Sequence, residues 1–303
     1  MQRKVPRVSH AEFVDHLLEK RGTVVLLGGL DTGKTTFGLS LASKAGDKDI
    51  PTAYVDADVG QSTIGPPTTV GLKYITNLEK VDRDTVRVAD ELAFVGSTTP
   101  RGHLVSLTAG TGRLVQHAKD AGCELIVVDT SGFISGIQAE LLKYYKIELI
   151  RPDAIVGFER GWELDPIGGI VQRFFPSEAT ILKAEGLAAE RSVEERLAYR
   201  EERLKEYFKP PVSRWRVKTS VFMPTIPPET DLSRLDGIVV GLEDGKGNCL
   251  GIGLLEYDSE EDILRMVSPI AEGAKGLLLG SVRLNLEGQT IGTVTLEELF
   301  GSG

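Results

Sequence analysis

At 303 residues, with 41% apolar and 26% charged side chains, the chain has the make-up of a globular protein with one large domain, or one large and one small. No apolar run approaches the roughly 20 residues that span a bilayer, and the first ten residues lack the apolar core of a signal peptide, so no membrane partner is expected. A formal charge of −9 argues against a surface coated in basic groups, yet a local basic groove is enough for a nucleic-acid substrate. Cys123 and Cys249 lie far apart without metal spacing, which fits a reducing cytoplasm rather than a disulfide framework.

His10 to Arg21 has helical spacing and leads into Thr23–Leu27, an apolar run that reads as a buried strand. The run ends in Gly28-Gly29-Leu30-Asp31-Thr32-Gly33-Lys34-Thr35, the phosphate-binding loop pattern, and Phe37 to Ala45 continues as a helix. Strand, loop and helix together are the context in which this motif binds a nucleoside triphosphate. Gly28 and Gly33 let backbone N–H groups face phosphate oxygens, Lys34 reaches the β- and γ-phosphates, and the Thr35 hydroxyl ligates Mg²⁺. Further strands are expected at 51–55, 92–95, 124–129, 154–158 and 179–183, with helices at 104–121 and 136–150. This alternation predicts an α/β fold, a P-loop NTPase parallel sheet with helices on both faces and ligands at the carboxyl ends of its strands. A charged helix over about 191–208 ends at Pro210-Pro211. Residues 211–303, rich in glycine and β-branched side chains, are expected to form a small, mainly β domain beside a P-loop domain of residues 1–210.

Phosphoryl transfer needs metal ligands, cationic clamps and a group that orients the nucleophile. Asp56 and Asp58, two apart at a strand end, are candidates for a Mg²⁺ ligand and a proton acceptor, and Asp129 competes for the metal role. Arg196 and Arg200, preceded by Arg191, share a helix face that could close over the triphosphate, although charged helices are more often solvated faces. His103, after Pro100-Arg101-Gly102, is a candidate substrate contact, while Phe133, Trp162 and Tyr74 could stack on bases or serve as core.

Taken together these motifs resemble the polynucleotide 5′-hydroxyl kinases of RNA processing, the group of the cleavage-and-polyadenylation kinase subunit and the ribosomal-RNA-processing kinases. The phosphate loop carries the family's aspartate in Asp31-Thr32-Gly33-Lys34-Thr35, followed by Thr36. Asp56-Ala57-Asp58-Val59-Gly60-Gln61 matches the family's DxDxGQ, and Thr130-Ser131-Gly132-Phe133 matches its TxGW clasp with Phe for Trp. Arg196 to Arg200 matches the RxxxR lid, and Ser97-Thr98-Thr99-Pro100 its substrate-side loop. The resemblance implies ATP and Mg²⁺ as cofactors and a nucleic acid with a 5′-hydroxyl end, RNA or DNA, as acceptor. It implies Asp58 as general base, Lys34 with Arg191, Arg196 and Arg200 as the phosphate clamp, and Thr35, Asp56 and Asp58 at the metal. Gln61, Thr99, Pro100, Arg101, His103, Thr130 and Phe133 would face the acceptor. The alternative is a non-catalytic ATP-binding scaffold or nucleotide-dependent switch in RNA processing. A guanine-reading Asn/Thr-Lys-x-Asp motif is absent from the sequence, and Gly29 stands where a switch protein's second signature lysine would be.

Overall fold

Val24 to Leu27 form the enclosed centre of β1 (Gly22–Gly28), which pairs in parallel with β5 (Leu125–Thr130) on one side and β6 (Ala154–Glu159) on the other. The protein is described by a computed structural model covering residues 10–75, 80–184 and 190–301. β2 (Thr52–Ala57) lies beyond β5 and β7 (Glu178–Lys183) beyond β6, giving the parallel order β2-β5-β1-β6-β7. β3 (Thr69–Tyr74) runs antiparallel to β2, and β4 (Glu91–Phe94) antiparallel to β3. β4 therefore ends at the same edge as the parallel strands.

Strands buried on both faces need helices on both. α1 (His10–Lys20) and α2 (Lys34–Gly46) cover one face through Phe13, Leu17, Phe37 and Leu41. α3 (Leu104–Asp120), α4 (Ile137–Ile150) and α5 (Asp165–Phe174) cover the other through Leu107, Leu114, Leu142, Ile147 and Val171. Two elements were not expected from the sequence, β3 and α5. β3 carries Gly71, where a Cβ would lie 2.4 Å from the Ile64 carbonyl oxygen, and α5 carries Pro166 with Gly168 and Gly169. Packing rather than propensity holds both.

α6 (Val193–Tyr207) is the expected charged helix, opened by a capping box in which Ser192 Oγ accepts from Glu195 N (3.1 Å) and Glu195 accepts from Ser192 N (2.6 Å). The β-rich tail follows as β8 (Ser213–Val217), β9 (Phe222–Met223), β10 (Ile238–Glu243), β11 (Cys249–Asp258), β12 (Ile263–Ser268), β13 (Gly276–Leu284) and β14 (Thr290–Thr293). It has a core cluster of its own around Leu235, Val240, Leu255 and Met266. Its strands nevertheless extend the first sheet, because β11 pairs with β4 at Cys249 and Leu92.

Two lysines of α4, Lys143 and Lys146, are fully buried. Lys143 Nζ donates to Thr130 Oγ1 (2.9 Å) and to the Ser131 carbonyl (3.0 Å). Lys146 Nζ has no hydrogen-bond partner among the described residues, and burial pushes its ammonium down to about 8 despite the pull of Asp58, Asp56 and Asp129. Lys146→Met should therefore stabilise the fold by about 2 kcal/mol near neutral pH, because an unpaired buried charge costs more than a thioether. An unfolded lysine holds its proton up to 10.5, so between about 8 and 10.5 the unfolded state binds more protons and wild-type stability climbs with pH. Denaturant unfolding across that window should show the climb in the wild type and a flatter profile in Lys146→Met; a variant less stable than wild type would contradict it.

Candidate active site

The phosphate-binding loop leaves β1 at Gly28 and enters α2 through Gly33, both with positive φ (157° and 89°). A Cβ on Gly28 would stand 2.6 Å from the Phe158 carbonyl oxygen and 2.7 Å from Thr32 Oγ1, so only glycine fits against β6. No side chain caps α2, which leaves its first N–H groups free to meet an anion. Thr32 is pinned within the loop by its hydroxyl's bond to the Gly29 carbonyl (3.0 Å). Lys34 is buried with its ammonium on the same carbonyl (2.6 Å); burial lowers its pKa, while Asp129, Asp58 and Asp31 pull it back up. Thr36 lines the same cleft of about 420 Å³, with Asp58, Gln61, Thr130 and Gly132.

The acids separate by environment. Asp56 and Asp129 face each other in register across β2 and β5, and burial raises both above the usual carboxylate range, with repulsion from Asp129 and Asp58 adding to it at Asp56 and from Asp58 at Asp129. Asp129 Oδ2 accepts from Thr35 Oγ1 (2.5 Å) and Tyr54 Oη (3.2 Å), while its Oδ1 is buried with no partner among the described residues. Asp56, expected at the metal, is instead occupied by backbone: Oδ1 accepts from Asp58 N (2.9 Å), and Oδ2 from Thr63 N (2.5 Å) and Ile64 N (3.1 Å). The strand ends at Ala57, so Asp58 leaves the strand's alternation and lines the cleft; its Oδ1 accepts from Gly60 N and Gln61 N (both 3.1 Å). Among the described residues no three His, Cys, Asp or Glu side chains converge into a self-contained metal cage. Mg²⁺ takes few protein ligands beside phosphate oxygens, and Thr35 with the unpartnered Asp129 oxygen fits that demand.

α6 lies across the loop that follows β2. Tyr199 Oη donates to the Ser62 carbonyl (3.1 Å), Arg203 to Gly65 (2.8 Å), and Gln61 Nε2 donates back to the Arg196 carbonyl (3.0 Å). Arg200 bridges Gly60 O (3.3 Å) and Thr98 Oγ1 (3.2 Å), tying the acidic loop to the loop after β4. Arg191 and Arg196 both bind the carboxylate of Asp31, at 3.1 and 2.7 Å. Among the residues expected to face the acceptor, Thr99 N donates to Ser97 Oγ (3.2 Å), Pro100 is buried, and Arg101 lies over the Phe133 ring at 5.6 Å. His103 is hydrogen-bonded within its own loop, to Arg101 O (2.9 Å), and Thr130 Oγ1 donates to Leu26 O (2.7 Å).

Tyr74 ends β3 at the opposite edge, partly buried against the core and bonded to Glu91 (2.7 Å), and Trp162 is an exposed side chain; neither lines the cleft. Two further arginines reach the loop: Arg83, which lines the cleft, and Arg160, which donates to the carbonyls of Leu30 (3.1 Å) and Asp31 (2.7 Å). Neither sits in a motif; only the fold brings them to the loop. Gly28→Ala should weaken nucleotide binding by about 10-fold or more, the scale of a strained backbone position, and titration calorimetry with ATP checks it; unchanged affinity would contradict the close packing against β6.

Comparison with known proteins identifies the family. The family model described as mRNA cleavage and polyadenylation factor CLP1 P-loop matches residues 28–210. The polyribonucleotide 5′-hydroxyl-kinase of Methanocaldococcus jannaschii is 29% identical, with 91% of each chain covered. That of Thermococcus kodakarensis is 27% identical over 91% of this chain and 92% of its own. A solved Clp1p–Pcf11p complex matches in fold, with a TM-score of 0.70 at 15% identity over 90% of this chain and 79% of that one. The chain belongs to the CLP1 P-loop family of the mRNA cleavage and polyadenylation factor.

Proposed function

We propose that this chain is a polynucleotide 5′-hydroxyl kinase that moves the γ-phosphate of ATP onto the terminal hydroxyl of RNA. The observation that carries the reading is Asp58, which lines the nucleotide cleft with Lys34 and Thr35 while Arg200 ties its loop to the acceptor side at Thr98. The polyribonucleotide acceptor in the archaeal relatives' names supports RNA as the substrate class. Residues 1–210 carry the chemistry in this proposal, and residues 211–303 brace them through the shared sheet.

Asp58 accepts the proton of the 5′-hydroxyl as that oxygen attacks the γ-phosphorus; the bond to the β-phosphate oxygen breaks and ADP leaves. Lys34 exchanges its contact with the Gly29 carbonyl for phosphate oxygens, and Arg191 and Arg196 stand over the charge that develops. Thr35 and Asp129 would hold Mg²⁺, which when bound neutralises the β- and γ-oxygens. Phe133 and Arg101 offer the acceptor a stacking face with a cation beside it.

Transfer from γ-labelled ATP to matched 5′-hydroxyl RNA and DNA oligonucleotides tests the reading. Label should appear on RNA, vanish in Lys34→Ala and vanish when Mg²⁺ is chelated. Asp58→Asn should slow transfer by about 10²–10⁴-fold, the range of a lost general base, while ATP still binds; full activity would remove Asp58 from that role. Arg200→Ala should raise KM for the oligonucleotide more than KM for ATP, because its partners are Gly60 and Thr98 rather than the phosphate loop. Intact ATP binding with no transfer to either acceptor would turn the function to a non-catalytic scaffold.

A further inference from the structure

A carboxylate in a phosphate-binding loop has the wrong sign for its ligand. Asp31 sits at the loop apex with φ of 51° and its side chain only 6% exposed. Three N–H donors of the lid meet it: the Arg191 backbone on Oδ2 (3.0 Å), Arg191 Nε on Oδ1 (3.1 Å) and an Arg196 terminal nitrogen on Oδ2 (2.7 Å). Its own carbonyl is fixed by Arg160 (2.7 Å). Burial alone would raise its pKa, but the bonds from Arg196 and Arg191 outweigh it and hold the carboxyl at about 2, ionised throughout the working range. Arg196 keeps one N–H in reserve, since its buried Nε has no partner among the described residues.

We infer that Asp31 is a positioning residue that acts through Arg191 and Arg196: it fixes both guanidinium groups and the start of α6 over the cleft before nucleotide enters. The inference rests on the kinase reading for its kinetic arm. An arginine aimed in advance need not be ordered at the moment charge develops, whereas a free one must be. The repulsion of Asp31 for phosphate is then a cost in ATP affinity exchanged for turnover.

The test uses Asp31→Asn in the full chain, because asparagine tolerates the positive φ that alanine would strain. Without nucleotide, amide hydrogen exchange in α6 should speed up in the variant while that of β5 stays unchanged; unaltered α6 exchange overturns the inference whatever the acceptor proves to be. With ATP and a 5′-hydroxyl RNA, kcat should fall by about 10²-fold, as for a misplaced catalytic group, with ATP bound equally or more tightly. Asp31→Asn should cost nothing further in a chain that already carries both Arg191→Ala and Arg196→Ala. Additive losses, or weaker ATP binding at unchanged kcat, would make Asp31 a simple part of the nucleotide loop and overturn its role through the lid. If the wild type transfers nothing, the kinase reading falls by itself and hydrogen exchange still decides whether Asp31 fixes the lid.

Discussion

Asp129 stands in register with Leu26 of β1 on one side and Asp56 of β2 on the other. That alignment of three parallel strands brings the phosphate loop, the acidic loop and the clasp off the sheet at one height. A slip of one residue in β5 would turn Asp129 away from Thr35 and Tyr54 and put Val128 or Thr130 in its place. The two helical layers that bury the strands also strip water from the acids, and so make the register electrostatic as well as geometric. Two carboxylates side by side in that setting both resist ionisation; Lys34 and the hydroxyls of Thr35 and Tyr54 relieve Asp129, while the backbone N–H groups of Asp58 and Thr63 relieve Asp56.

The site divides labour among side chains of one type. Asp56 and Asp58 are two residues apart, yet one shapes a loop by accepting three backbone N–H groups and the other faces the cleft. The lid arginines divide too. Arg191 and Arg196 take the carboxylate of Asp31, Arg200 takes only carbonyl and hydroxyl oxygens and so joins two loops, and Arg203 takes both the Gly65 carbonyl and the Glu206 carboxylate. A protein of net charge −9 thus concentrates cations where an anionic substrate would enter.

Much of this was readable before any coordinates. The phosphate loop, the parallel strands and the charged helix follow from local rules: glycine spacing, apolar strand runs, and a charged helical stretch stopped by prolines. The environment of each acid was not readable, because Asp56 and Asp58 are held by backbone N–H groups up to eight positions away and Asp129 by hydroxyls 75 and 94 positions away. Arg83 and Arg160 were invisible for the same reason. β3 and α5 escaped because glycine and proline weaken their local signal and tertiary packing supplies what propensity lacks.

The C-terminal turn of α6 is fastened to the β-rich part. Tyr207 Oη accepts from Ile252 N (2.9 Å) and donates to Ile252 O (3.3 Å), and Leu204 and Phe208 are buried in the cluster formed with β11. Were the contacts at its start released, a helix held at this end would act as a lever. With a rise of about 1.5 Å per residue, Arg203 lies about 6 Å and Arg196 about 16 Å from Tyr207. A swing of about 10° about that fulcrum would shift Arg203 by about 1 Å and Arg196 by about 3 Å, on the same helix geometry. The tail, remote from the chemistry, therefore sets the leverage of the arginines, and a small loosening of the sheet around β11 would be amplified where the phosphate sits.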